Sequence, residues 1–206
     1  MNQWRASFFR YVTFGAAFLL AACASQKQQI SPQATEGLAQ VRAQAVELKK
    51  QLSRTSASAR TLSKSSGSEV PSSLDSLSAN LDSLNSTVGV ARTAVSSVQV
   101  QVAAYFDNWD KQTAGMSAEM QKTSKKRQAE AAASFESLRA SIARVRNGLW
   151  QYMNDMSEIV KYLRTDQTPA GMDAVSSRLS STIASEPVVQ RDLDNVISQI
   201  DAITKQ

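Results

Sequence analysis

The chain has 206 residues, of which 42% are hydrophobic and only 6% aromatic, with seven Gly and four Pro. This composition allows a buried core and favours helices over sheets. The absence of histidine excludes histidine-based triads and histidine metal ligands, and a net charge of +5 is too small to indicate nucleic-acid binding. No glycine-rich phosphate-binding motif occurs. We therefore predict no enzymatic activity, no metal, no cofactor and no small-molecule substrate.

The first 22 residues have the organisation of a signal peptide. The first ten carry Arg5 and Arg10 and no acid, and residues 11–22 are apolar or small apart from Thr13. A membrane-spanning helix needs about 20 apolar residues, so this run is too short to be one. We predict a signal peptide over residues 1–22.

The leader ends in Leu20-Ala21-Ala22-Cys23, with two small residues before the only cysteine in the chain. This pattern resembles the lipobox of bacterial lipoproteins. The resemblance implies cleavage before Cys23, a diacylglyceryl group on its thiol and a fatty acid on its amino group. Because Ala24 is not Asp, it also implies attachment to the periplasmic face of the outer membrane of a Gram-negative bacterium. The alternative is a free cysteine that ends an ordinary signal peptide or a short anchor.

Residues 23–33 are polar, contain Pro32 and are predicted to tether the lipid to the folded part. A first helix is expected over residues 34–64, where apolar residues recur every three or four positions. Ser65-Ser66-Gly67-Ser68 then predicts a turn.

The most regular pattern in the chain predicts a second helix over residues 72–113. Ser72 and Asp75 are spaced as an N-terminal capping box. Gly89 lies inside the helix and is interpreted as a site of close helix approach, with a hinge as the alternative. Eleven consecutive positions of a 3–4 spacing are apolar and predict one face in contact with other helices: Leu74, Leu77, Leu81, Leu84, Val88, Ala91, Val95, Val98, Val102, Tyr105 and Trp109.

The phase of this pattern changes after Trp109, and Gly115 lies in the gap. We favour a hairpin turn over residues 114–117, with one continuous helix as the alternative. A third helix is predicted over residues 118–165 because a 3–4 stripe runs unbroken from Phe135 to its end.

Two shorter helices are predicted at the C-terminal end, over residues 168–185 and 187–204. Thr168-Pro169 is suited to begin the first of them, and Pro187 is expected to separate them.

No helix can bury its stripe alone, so the stripes must pack against one another. We predict an all-α fold in which residues 34–206 form a single domain. Its architecture is an elongated antiparallel helical bundle, or coiled-coil hairpin, with shorter flanking helices. The far end of the two long helices is expected to project as a two-helix arm.

Two groups of residues on this arm are candidate contact sites. One would cluster at the tip as a possible protein-interaction surface: Tyr105, Phe106, Trp109, Met116 and Met120. The other is a basic run that could contact anionic lipid, lipopolysaccharide or peptidoglycan: Lys122, Lys125, Lys126 and Arg127. A solvated face balanced by neighbouring glutamates is the alternative for the basic run, and self-association is a further possibility for helices this regular.

Part of the mature chain is similar to a family of all-helical bacterial envelope proteins of unknown activity. The similarity is carried by Tyr105-Phe106-Asp107-Asn108-Trp109, which contains that family's Phe-Asp-x-Trp element, and by the basic stretch and long helix that follow. Val160-Lys161-Tyr162-Leu163 departs from the family's Leu-Lys-His pattern. The resemblance covers about residues 36–204 and implies the helical fold without a mechanism.

These features together indicate a non-enzymatic outer-membrane lipoprotein whose bundle acts as a periplasmic spacer or interaction scaffold. The alternative is an accessory subunit that docks on an envelope transport or assembly complex through the tip of the hairpin.

Overall fold

The computed structural model describes residues 30–205. Over this range the chain forms four long α-helices: α1 Pro32–Leu62, α2 Val70–Ala114, α3 Ala118–Leu163 and α4 Pro169–Thr204. A 3-10 turn, Gly67–Glu69, precedes α2. The predicted all-α class is confirmed. The signal peptide, Cys23 and most of the tether lie outside the described residues.

Short polar side chains begin three of these helices, and the sequence predicted one of them, Thr168. Ser31, Ser117 and Thr168 each accept a hydrogen bond from a backbone N–H three residues later, at 3.2, 3.5 and 3.2 Å. Such caps satisfy donors that have no partner inside the helix. The capping box predicted for α2 is wrong, because that helix continues directly from the 3-10 turn and Ser72 donates to the carbonyl of Glu69 instead.

The chain turns back after each helix, so that the four helices run alternately up and down. The break near Gly115 is real, because α2 ends at Ala114 and α3 begins at Ala118; the continuous-helix alternative is wrong. α1 packs against α2 and α4, and α3 packs against α2 and α4. A single core cluster of apolar residues from all four helices lies between them.

The prediction of two short C-terminal helices is wrong, since α4 is continuous through Pro187. A proline inside a helix removes one hydrogen bond and crowds the preceding turn. Here Pro187 lies on the exposed face of α4. Leu179 and Val189, on either side of Pro187, are buried in the core and fix both halves of α4 against the other helices. Tertiary packing therefore overrides the local signal.

The two long helices extend beyond the bundle as the predicted arm. Gly37, near the start of α1, lies against Val98 and Gln101 of α2. The remaining residues of α2 up to Ala114 run past the beginning of α1 and pair with the first turns of α3. At 1.5 Å per residue, the turn at Gly115 lies roughly 10–15 Å beyond the start of α1.

Close helix approach occurs at glycines other than the expected one. A Cβ atom at Gly89 would meet nothing within 4 Å, so the interpretation of this residue as a contact point is wrong. At Gly148 a Cβ would lie 3.0 Å from Val189 Cγ2, and at Gly171 it would lie 2.3 Å from the backbone oxygen of Asp166. Gly148 brings α3 close to α4, and Gly171 lets the loop before α4 fold over the start of that helix.

Gly171→Ala should therefore lower the free energy of unfolding by about 1–3 kcal/mol, because its methyl group meets a backbone atom that cannot move aside without strain. Gly89→Ala is the matched control and should raise stability by up to about 1 kcal/mol, since Ala is the better helix former and space is open. Urea midpoints followed by circular dichroism would measure both. Equal stability of Gly171→Ala and the wild type would contradict the close contact.

Candidate functional site

The aromatic residues predicted for the tip hold the arm together. Trp109 is only 4% exposed and its Nε1–H donates to Ser124 Oγ at 2.8 Å. Its ring centroid lies 5.5 Å from that of Tyr105 in an edge-to-face arrangement. Phe106 stands edge-to-face against Phe135 of α3, with centroids 5.8 Å apart. These contacts join α2 to α3, so Tyr105 and Trp109 are packing residues and offer little surface to a partner.

The two methionines predicted for the tip are at the surface. Met116 and Met120 are 37% and 58% exposed. Met116 lies in the turn between α2 and α3, and Met120 lies in the first turn of α3. They are the part of the predicted tip group that is accessible to another molecule.

The basic run lies beside them on the first turns of α3. All four residues are exposed, and none forms an ion pair with an acidic residue of the described part of the chain: Lys122, Lys125, Lys126 and Arg127. Glu136, one of the glutamates expected to balance them, pairs with Arg139. The charges of the run are therefore available to an anionic surface.

Sequence reasoning missed a polar cluster inside the bundle, where α1, α3 and α4 meet. Glu186 is 8% exposed and accepts a hydrogen bond from Arg60 Nη2 at 2.5 Å and from Gln190 Nε2 at 3.2 Å. Nearby, the Tyr152 hydroxyl and Ser56 Oγ are 2.8 Å apart, and both residues are buried. The sequence did contain a sign of this cluster, because Ser and Glu replace apolar residues at core positions of α1 and α4.

This cluster couples the helices: Tyr152, Ser56 and Glu186 are buried, and Arg60 reaches Glu186 from the surface. Burial raises the pKa of Tyr152 to about 12, although the hydrogen bond with Ser56 opposes the shift. A phenol that stays neutral and is enclosed by side chains is suited to holding helices in register. We assign the cluster to stability.

A second feature missed from the sequence is a cleft of about 830 Å³ that lies between α2 and α3 and reaches α1 and α4 at its floor. Val88, Ala91 and Val95 of α2 line it and are only half-buried. On the same stripe, Leu84 and Val98 are buried on either side. The whole stripe therefore packs against the core as predicted, but at its centre the packing is incomplete and these three side chains stay half-buried. The signal was the change from Leu to small Val and Ala at these positions.

Polar side chains line the mouth of the cleft, and its floor is apolar. The floor includes Leu48, Val145, Leu149, Leu193 and Val196, all nearly buried. The rim carries Arg92 on α2, and Arg146 and Trp150 on α3. Trp150 is 66% exposed.

No family model matches the chain, and neither do any curated proteins or solved structures. The two resemblances drawn from the sequence therefore stay predictions. None of the helices within residues 30–205 contains an apolar stretch long enough to cross a membrane. In the same range, no three His, Cys, Asp or Glu side chains are grouped so that they could hold a metal ion.

The buried phenol predicts how stability depends on pH. The pKa of Tyr152 rises from 10.0 to about 12 on folding, so the folded state holds its proton more tightly. The contribution of the neutral phenol to the free energy of unfolding is present in full below pH 10 and is lost as the pH rises towards 12. A shift of this size corresponds to roughly 2–3 kcal/mol.

Tyr152→Phe should flatten the fall in unfolding free energy between pH 10 and 12. It should also cost about 1 kcal/mol at neutral pH, because Ser56 loses its partner. Denaturant titrations across this range would measure both effects. Exposed Tyr162→Phe is the control and should keep the wild-type slope; the same slope in Tyr152→Phe would refute the assignment.

Proposed function

We propose that the protein is a non-enzymatic lipoprotein, anchored through acylated Cys23, whose helical bundle serves as a spacer or interaction scaffold in the bacterial envelope. The observation that carries the proposal is the Leu20-Ala21-Ala22-Cys23 sequence a few residues before a helical bundle. The proposed location is the periplasmic face of the outer membrane. Several acyl chains on one residue would give stable attachment, which a single chain does not.

The geometry of the bundle supports this proposal. Cys23 and Ile30 are seven positions apart, so the tether spans at most about 25 Å. Ile30 enters the bundle at the end from which the arm projects, since α1 begins beside the base of the arm. The arm tip, roughly 10–15 Å further on, is therefore within reach of the membrane that holds the lipid.

The charge on the arm suits that position. Lys122, Lys125 and Lys126 lie within the first two turns or so of α3, close to the tip, and their side chains are exposed. A basic residue near an anionic membrane surface contributes about 1 kcal/mol. The arm would then rest against the headgroups or lipopolysaccharide while the rest of the bundle extends into the periplasm.

The anchor is tested by the intact mass of the protein from the membrane fraction. The expected species begins at Cys23 and is heavier than the bare chain by a diacylglyceryl group and a fatty acid. Cys23→Ser should remove this mass and release the protein from the membrane after a high-salt wash. An unmodified mature wild-type chain in the soluble periplasm would refute the lipoprotein proposal.

A second candidate function is docking on an envelope transport or assembly complex through the tip, and it is favoured by the exposure of Met116 and Met120. Under this proposal, changing both methionines to Gln should abolish cross-linking to the partner while leaving stability unchanged. Trp109 is unsuitable for the test, because its removal would open the arm. Val100→Gln is the matched control, because Val100 is 71% exposed on α2. Unchanged cross-linking in the double variant would refute docking through the tip and leave the spacer role.

A further inference from the structure

We propose that the cleft between α2 and α3 binds a long-chain fatty acid, with the hydrocarbon chain on the apolar floor and the carboxylate between Arg92 and Arg146. The proposal concerns the described bundle alone and is independent of the lipid anchor.

The first reason is the shape and character of the floor. The cleft lies where the apolar stripe of α2 is only half-buried, between buried Leu84 and buried Val98. Its volume of about 830 Å³ is in the range of small-molecule sites, about 300–1,000 Å³. The half-buried side chains Val88, Ala91 and Val95 leave apolar surface that packing within the chain does not cover. A hydrocarbon chain would remove that surface from water.

The second reason is the charge of the lining. Among the 20 residues that line the cleft, the only charged ones are Arg92 and Arg146, and no acid is present. Neither arginine forms an ion pair within the described residues. Both are exposed, so a bound carboxylate would remain hydrated at the mouth and avoid the cost of burying a charge.

The two arginines also lie at about the same height. Hydrogen bonds join Asp110 of α2 to Gln128 of α3, and Ser78 of α2 to Arg164 of α3. Because α2 and α3 are antiparallel, the residues of the two helices that lie between these two hydrogen bonds face one another. Arg92 of α2 is therefore opposite the turn of α3 that contains Arg146. The proposed head group lies between the two guanidinium groups, whose donors match a carboxylate. Arg146 also donates to Asn147 Oδ1 at 3.3 and 3.2 Å.

The cleft is long enough for an acyl chain. Its lining runs about 15 Å along α2, from Asn85 to Val95, and about 22 Å along α3, from Ile142 to Ser157. A membrane acyl chain covers half of a hydrocarbon core of about 30 Å, and therefore also about 15 Å. A partner helix is about 10–12 Å across with its side chains and would require a wide groove along the bundle. The lining also contains no acidic residue that could pair with a basic partner.

The test uses the full chain carrying Cys23→Ser, so that no covalent acyl chain competes for the cleft. Monomeric palmitate is titrated, with Trp150 fluorescence and calorimetry as readouts. One palmitate should bind per chain. The double variant Arg92→Ala and Arg146→Ala should bind at least about tenfold more weakly, a difference of about 1.4 kcal/mol. Arg139→Ala, on an exposed face outside the cleft, is the control and should bind as the parent does.

A second variant blocks the floor. Ala91→Phe places a ring where the chain would lie and should abolish binding, whereas Ala104→Phe, on an exposed face of α2, should not. Circular dichroism establishes that both variants are folded. Hexadecanol has the same chain without the charge. It should bind the parent more weakly than palmitate does, and the double arginine variant should bind hexadecanol and palmitate equally.

Three results would overturn the proposal. The first is the absence of palmitate binding to the parent. The second is binding that survives Ala91→Phe or is unaffected by loss of both arginines. The third is binding to phosphatidylglycerol vesicles in the absence of binding to monomeric palmitate, which would indicate a membrane-surface contact made elsewhere on the molecule.

Discussion

The narrow apolar stripe on each helix is the constraint on which the rest of this structure depends. A helix with one apolar face gains stability only when another element covers that face. With four such helices joined by short turns, each stripe meets two others and a single core results. α1 and α3 each pack against both α2 and α4, so every helix has two neighbours. Beyond the start of α1 and the end of α4, the stripes of α2 and α3 can pack only against each other. Aromatic residues make that contact in the arm.

Much of the fold could be predicted because helix periodicity is a local signal. The turn at Gly115 was found from a change in phase, and the start of α4 from Thr168-Pro169. Pro187 was misread because its local effect is strong, whereas the packing that overrides it involves residues distant in sequence. Gly89 was misread for a related reason. Whether a glycine marks a close contact depends on the neighbouring helix, and the sequence of one helix does not contain that information.

The candidate sites were less predictable than the fold. The sequence singled out aromatic residues as a possible docking surface, yet Trp109 is buried by Ser124 and Tyr105. A period of 3–4 residues identifies which positions face inwards and does not say whether the partner helix is near enough to cover them. The cleft is the clearest case, because Val88, Ala91 and Val95 are regular stripe positions that pack against the core and are still only half-buried. The polar cluster around Glu186 was likewise hidden, since its members come from three different helices.

The up-and-down order of the helices has a topological consequence for both ends of the chain. α1 begins beside the base of the arm, and Asp201, in the last turn of α4, bonds to Arg42 of α1 at 2.7 Å. The first and last helical turns therefore lie at the same end of the bundle as the arm. The turns at residues 63–69 and 164–168 form the opposite end. If a lipid holds the N-terminal end, a label fused after residue 206 would report on the membrane side, and one inserted in either of those turns would report on the side furthest from it.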